Sequence, residues 1–482
     1  MIKRKWFAAC ITNTGIIGTV FFLAALTAPA FAQLTIDTER TEPVATSEAP
    51  VDEDLLVTET GSIIVDLEGP IVTIDSDTDV IVELGATLTN SAASNGIGID
   101  IDLTEDRTGL IDFRGAMLLG ETDPNIPIGS NLIGIRIGTA GAVDKSYFGD
   151  LTFGSLATLG IAGDDSVGIA LNQEFVGNLT FNGGITVSGS NSIGVLSTAA
   201  IKGHLTFMSN VLARGTGAPT VEVRDPISGS AIVIGASIIS DLIDHDDDVD
   251  TPDAIVGGVR INGPIAIADF TTRAAQILSL GGEAAFYISP AFAGADAADI
   301  VFGLYSDFDN VTNLETLAKD PNYNASTGLG LYSFVNRGNI QGNGLEPGLD
   351  TEGFRIEGDG VNTVTFEGGL YNRGVILAQA VSHNLSAIND PEAPSDATAL
   401  IIGNGVTIPT LYNDGAITGI TQGPGGGAAI GLLIEADGFL PSITSTSAII
   451  ASSLTNEDTD LNNIEAYAIK DLSGTLLLID NH

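Results

Sequence analysis

Val335-Asn336-Arg337-Gly338-Asn339-Ile340 returns as Tyr371-Asn372-Arg373-Gly374-Val375-Ile376 and again as Tyr412-Asn413-Asp414-Gly415-Ala416-Ile417. Each segment reads apolar-Asn-x-Gly-x-Ile. A motif that recurs at this distance marks a repeat protein, in which each unit buries its apolar face only against its neighbours. The Asn-x-Gly step supplies a corner, because both residues tolerate positive φ and the Asn amide bonds neighbouring backbone. The chain closes on Leu476-Leu477-Leu478-Ile479-Asp480-Asn481-His482, which begins the motif without its Gly and Ile. This predicts that the native product continues past His482 with further repeats, and that the fragment alone self-associates through an open apolar edge.

Two more repeat families lie upstream. One is Ile97-Gly98-Ile99-Asp100-Ile101, Ile133-Gly134-Ile135-Arg136-Ile137, Val167-Gly168-Ile169-Ala170-Leu171 and Ile193-Gly194-Val195. The other is Gly-x-Ile/Leu-x-Phe, beginning at Gly109, Gly149, Gly177 and Gly203. They interleave, with spacings mostly from about 26 to 41 residues, the range of solenoid units. Short alternating runs without a crossover helix predict an all-β parallel β-helix, or β-solenoid, whose backbone groups pair between coils. On this reading Ile97, Ile99, Ile133, Ile135, Phe153, Phe181 and Phe207 point inward. The expected length is roughly 70–95 Å for about fifteen to twenty coils. A β-sandwich array fits less well, since no domain-sized blocks are visible, and a propeller requires a more regular repeat.

Lys3, Arg4 and Lys5, an apolar stretch from Ile16 to Leu26 and Ala30-Phe31-Ala32 before Gln33 read as a secretory signal over residues 1–32. Residues 33–54 read as an acidic flexible leader. Solenoid is expected over 55–215, solenoid with irregular loops and an acidic insertion over 216–330, and solenoid again, apparently truncated, over 331–482. Leu314 to Lys319 is the one short helical candidate. The only Cys is Cys10, within the signal, so the exported chain has no disulfides to hold it. A formal net charge of −43 argues against nucleic acid and anionic lipid as partners. With 44% hydrophobic and only 16% charged residues, the chain folds rather than remaining a disordered acidic tail.

The signal ending Ala30-Phe31-Ala32-Gln33, Asn191-Ser192-Ile193-Gly194, the Gly-x-Leu-Thr-Phe units, the Asn-x-Gly-x-Ile repeats and Asp471-Leu472-Ser473-Gly474-Thr475-Leu476 resemble passenger regions of autotransporter-like surface proteins of alphaproteobacteria. The resemblance covers most of the chain after the signal. It implies a right-handed parallel β-helix passenger, followed by a C-terminal outer-membrane barrel that exports it. The chain departs from the pattern in having no terminal run of amphipathic strands and no final aromatic residue. Attachment to the outer membrane would then need a barrel beyond this sequence. The implied location is the cell surface, outer membrane or extracellular space, or the periplasm if the barrel is truly absent.

Candidate chemistry is sparse. Asp244, Asp246, Asp248 and Asp250 alternate through an acidic run and are candidate Ca²⁺ ligands, since Ca²⁺ collects hard oxygens. Asp75, Asp77 and Asp79 alternate in the same way. Neither run is an EF-hand, because Val249 and Val80 stand where its Gly belongs. No other cofactor is implied. His204 stands at a repeat position also held by Leu110, Asp150 and Asn178, which reads as an outward coil position and not a ligand. No zinc spacing, Gly-x-Ser-x-Gly elbow or Ser-His-Asp arrangement is present.

These observations predict a non-enzymatic, exported solenoid, structural or adhesive at the surface, binding an unknown surface ligand or polysaccharide. The rival is a polysaccharide-active β-helix enzyme, a lyase or hydrolase. Its basic residues would gather in a groove, whereas Arg136, Arg214, Arg224, Arg260, Arg273, Arg337, Arg355 and Arg373 are scattered. Asp, Glu and Arg clustered on three adjacent coils would favour the enzyme; small polar residues throughout would favour the scaffold.

Overall fold

A computed structural model describes residues 33–482, apart from 51–52, 121–128, 142–144, 216–218, 226, 228–230, 235–236, 242–258, 262–264, 269–274, 282–283, 304–331, 345–347, 382–393, 424–426 and 455–463. Gln33–His482 forms one unit, separate from Met1–Ala32, where the signal reading falls outside the described residues. It is a parallel β-helix. Sheet A holds 14 strands, from Leu34–Ile36 to Leu478–Asn481. Sheets B and C hold 13 each, from Glu39–Arg40 to Ile449–Leu454 and from Val44–Ala45 to Ile464–Asp471. Successive strands of each sheet are successive in the coil order and pair in parallel. Coils are numbered here from the first strand of sheet A.

Among the described residues thirteen coils are complete, fewer than the fifteen to twenty expected. Coils are longer than assumed because corners carry insertions: equivalent residues lie 26 apart at Asp164 and Ser190 but 46 apart at Asp350 and Asp396. Two short sheets add a fourth side, a four-stranded one in coils 3–6 and a three-stranded one in coils 9–11.

The interior is one continuous apolar column system. Phe113, Phe153, Phe181 and Phe207 fall in a single register column and are fully buried. Their rings stack, at 4.7 Å for Phe113–Phe153 and 5.4 Å for Phe181–Phe207. The column then passes through Val233 and Ile267 to Asn336, Asn372, Asn413, Ser445 and Asn481. Here the inward phenyl is replaced by an amide, and the buried polar atoms bond along the column. Asn336 Nδ2 donates to Asn372 Oδ1 at 2.8 Å, Asn372 Nδ2 to Asn413 Oδ1 at 2.8 Å, and Asn413 Nδ2 to Ser445 Oγ at 3.1 Å. Such a chain satisfies each amide in turn, which burial demands. Asn481 thus occupies the motif position that the repeat reading assigned to it.

Two expectations are corrected. Residues 33–54 are not a free leader: Leu34–Ile36, Glu39–Arg40 and Val44–Ala45 form the first coil and pair with the second. The alternation Leu34-Thr35-Ile36 buries Ile36 despite its acidic surroundings, and Arg40 draws the stretch together by bonding the Glu42 and Pro43 carbonyls and Glu48. Strands of all three sheets also lie within 216–330. Finally, Ile133 is only partly buried, whereas Ile99, Ile135, Phe153, Phe181 and Phe207 are buried as expected, as is Ile97. Pairing in sheet C skips from Ile133↔Val167 to Ile135↔Ile169. Between them Gly134 turns inward, where a Cβ would lie 2.4 Å from the Gly168 carbonyl oxygen, so the alternation slips by one residue. The corner before it is left-handed in four coils, at Asn95, Asn131, Asp165 and Asn191 with φ of 55°, 55°, 50° and 56°. Asn and Asp are the non-glycine residues best suited to that conformation.

Candidate functional site

The acidic side chains nearest the sheet corners are occupied with backbone. Asp75 Oδ1 accepts from the Ser47 N–H at 2.8 Å and the Thr46 hydroxyl at 3.1 Å, and Oδ2 accepts from the Ser47 hydroxyl at 2.7 Å. Asp77 accepts the Thr108 N–H at 2.9 Å and Asp79 the Leu110 N–H at 2.7 Å. The three carboxylates therefore serve different corners and do not converge on a common point. Burial pushes the Asp75 carboxyl up, but the Ser47 and Thr46 hydrogen bonds outweigh it and leave it below the ordinary carboxylate value. Asp244, Asp246, Asp248 and Asp250 lie outside the described residues. Among the described residues, no three His, Cys, Asp or Glu side chains gather as a metal site would require.

The same corner chemistry explains the His204 column. Asp150 Oδ1 accepts the Asn178 N–H at 2.7 Å, and Asn178 Oδ1 accepts the His204 N–H at 3.1 Å. Each Asx side chain reaches to the backbone of the following coil. A share of the acidic composition is thus structural, capping corner N–H groups that the sheets leave over.

Basic residues are dispersed and mostly face carboxylates. Arg136 grips Asp100 of the preceding coil at 2.8 Å and 2.7 Å, Lys202 meets Glu174 at 2.6 Å, and Arg224 meets Glu222 at 2.9 Å. Arg373 approaches Asp414, its counterpart in the next repeat, at 4.0 Å on the surface. Tyr371 and Tyr412 stack at 5.3 Å, with Tyr332 leaning on Tyr371 at 5.4 Å. Because their faces cover one another, they present edges and not a flat platform to a ligand.

One outward group has the composition of a reactive site. On sheet C, Tyr287, Arg355, Ile401 and Leu433 form a register column over coils 9–12. Glu357, Gly403 and Glu435 follow the next column along, after Ile356, Ile402 and Ile434. Arg355 holds Glu357 Oε2 through Nε at 2.8 Å and Nη2 at 2.5 Å. Its Nη1 bonds Glu352 at 2.8 Å, and Nη2 stands 3.5 Å from Glu435. The Tyr287 hydroxyl donates to Glu357 Oε1, and the guanidinium lies 5.7 Å from the Tyr287 ring centre. Burial pushes the Glu357 carboxyl up to about 7, with Glu435 adding to the rise. The two hydrogen bonds from Arg355 to Oε2 oppose that rise, since they favour the ionised carboxylate. The charged members come from coils 10 and 12 only, and coil 11 contributes Ile401 and Gly403. This falls short of an Asp, Glu and Arg cluster on three adjacent coils, and it is equally not a small polar face.

Sequence reasoning named Arg355 but left it scattered. Its spacing from Glu357 in an alternating strand marks one face; Glu435 is brought in only by coil register. Compared with protein-family models, curated proteins and solved structures, the chain matches none.

Proposed function

We propose that the chain is an exported, surface-exposed β-solenoid, acting without catalysis as the structural or adhesive passenger of an autotransporter-like protein. The observation behind this reading is the unbroken stacking of thirteen coils in three parallel sheets, tied by phenyl and amide columns. Such a body is stiff along its axis and can hold loops away from a cell surface. The full chain's formal net charge of −43 favours repulsion between neighbouring copies and suits a surface ligand or polysaccharide that is neutral or cationic. Labelling of intact cells that express the native gene tests this. Antibody binding to Gln33–His482 and its removal by external protease are expected; a chain protected in whole cells and released only on lysis overturns it.

A second reading is a polysaccharide-active enzyme, supported by Glu357 and Glu435 meeting at one guanidinium. Glycoside hydrolysis needs a protonated and an ionised carboxyl facing each other, and Glu357 has the raised value of an acid. An anionic sugar is disfavoured, because three carboxylates already surround Arg355. New reducing ends from neutral polysaccharides, lost in Glu357→Gln, would establish this reading. Their absence with the folded protein leaves the scaffold.

A further inference from the structure

The apolar-Asn-x-Gly-x-Ile repeat turns its Asn inward, so the residues on either side of it stand on the outer face of sheet A. Val335, Tyr371 and Tyr412 share a register column over coils 10–12, and Tyr332 leans on both tyrosines, at 5.4 Å and 6.4 Å. Beyond the inward Asn336, Asn372 and Asn413 stand Arg337, Arg373 and Asp414. Two guanidiniums thus start from equivalent positions on adjacent coils, where like charges repel.

Tyr371 is only 7% exposed, yet among the described residues its hydroxyl has no hydrogen-bond partner. Arg373 makes no side-chain hydrogen bond among them either. Its ion partner Asp414 stays 4.0 Å from Nε, beyond hydrogen-bond reach, and Asp414 Oδ1 already accepts the Thr446 hydroxyl at 2.7 Å. Burial pushes the Tyr371 hydroxyl up to about 12 and Asp414 adds to the rise, while Arg373 and Arg337 oppose it, so both guanidiniums act on this hydroxyl and it keeps its proton at neutral pH. The tyrosine edges around it are the positive side of the aromatic quadrupole. The place is rich in donors and poor in acceptors.

We propose that Tyr371 and Arg373, with Arg337 beside them, bind a single oxyanion, a carboxylate or sulfate group. The Tyr371 hydroxyl and the Arg373 guanidinium both donate to it, which gives the buried hydroxyl the acceptor it lacks. The anion also sits between like charges on adjacent coils. Arg355 does not serve in this way, because its donors already hold Glu352 and Glu357. The acidic remainder of the chain opposes a small anion weakly, since exposed charges more than about 8 Å away are screened at physiological salt. The site is independent of whether the chain is displayed on cells or acts on a polysaccharide.

Calorimetric titration of the full chain with sodium sulfate, with sodium glucuronate and with the neutral methyl ester of glucuronic acid tests this. Saturable binding of an anion and none of the ester is expected, weakening as NaCl rises. Tighter binding of glucuronate than of sulfate assigns the oxyanion to a saccharide; equal or tighter binding of sulfate assigns it to a free inorganic anion. Tyr371→Phe keeps the ring stack and should weaken binding about tenfold, the effect of one charge-assisted hydrogen bond. Arg373→Ala should lose at least as much. Asp414→Asn, an exposed change, should tighten binding, since a competing carboxylate becomes neutral. Binding of neither anion, binding of the ester as strong as that of glucuronate, or parental affinity in Tyr371→Phe and Arg373→Ala overturns the site. Should Tyr371→Phe fail to fold, an unmoved or weakened affinity in Asp414→Asn overturns it alone.

Discussion

Asn372 donates its side-chain N–H to Asn413 Oδ1 at 2.8 Å, with both residues fully buried and 41 positions apart in the chain. The same Asn372 accepts from Asn336, so each amide is both donor and acceptor within the core. The apolar-Asn-x-Gly-x-Ile repeat therefore encodes more than a turn. It places one amide per coil where the next can meet it.

Removing a link should cost more than one hydrogen bond. Asn372→Ala leaves the Asn336 donor and the Asn413 acceptor without their partner and opens a small void. The expected loss is about 1–3 kcal/mol for each buried polar group left unsatisfied. Chemical unfolding of Asn372→Ala beside the parent checks this; equal midpoints would show that the column contributes nothing to stability.

Phe181 lies between Phe153 and Phe207 in the phenyl column and is fully buried. Phe181→Ala should cost about 3–5 kcal/mol, the usual range for a large buried ring. Phe181→Asp should open neighbouring coils, because a buried charge has no partner there. Limited proteolysis reads the difference, with new cuts expected around coils 5–7. Protease resistance like the parent's would contradict the inward placement.

Acid should loosen the first coil. The Asp75 carboxyl is held below its ordinary 3.8 against the opposing effect of burial, by Ser47 and Thr46. A depressed folded value contributes stability above the unfolded value and loses it as pH falls through the folded one. Amide protection of Val44–Ala45 should therefore fall below about pH 4, and Asp75→Asn should lose that dependence. The same acid response in Asp75→Asn would assign it to other groups.

The acidic run at Asp244, Asp246, Asp248 and Asp250 is tested by metal alone. Ca²⁺ held by these residues would raise the melting temperature in millimolar Ca²⁺ relative to chelator, since a ligand of the native state shifts unfolding by mass action. The rise should vanish when all four are changed to Asn. Superimposable curves in Ca²⁺ and chelator would leave the run a solvated loop.

Much of the architecture was legible because a solenoid repeats its local rules. Gly-x-Leu-Thr-Phe at Gly149, Gly177 and Gly203 carries strand, corner and inward ring in one short unit, and neighbouring units pair in register. Where a rule was hidden, the reading failed locally. Leu34-Thr35-Ile36 is too short to stand out from the acids around it, and Ile133 is only partly buried because Gly134 takes the inward step, which an Ile-Gly-Ile alternation does not reveal.

The candidate site was less legible. Arg355 and Glu357 share a strand face by their spacing alone, but Tyr287 and Glu435 join them only through coil stacking. Loop lengths between coils vary, so distance along the chain gives no measure of distance across coils.

The amino-acid sequence by itself determined the class of fold and the inward Phe residues, because alternation acts over a few residues and recurs; it read the repeat Asn as a positive-φ corner, whereas Asn336, Asn372 and Asn413 end strands as a buried amide column with no positive φ. Only the tertiary structure decided which carboxylates cap corners and which compete for Arg355, since that depends on register between strands 78 positions apart, as in Glu357 and Glu435. Register is a property of the whole stack: each coil settles against its neighbour's buried face, and the surface side chains are carried into contact as a consequence.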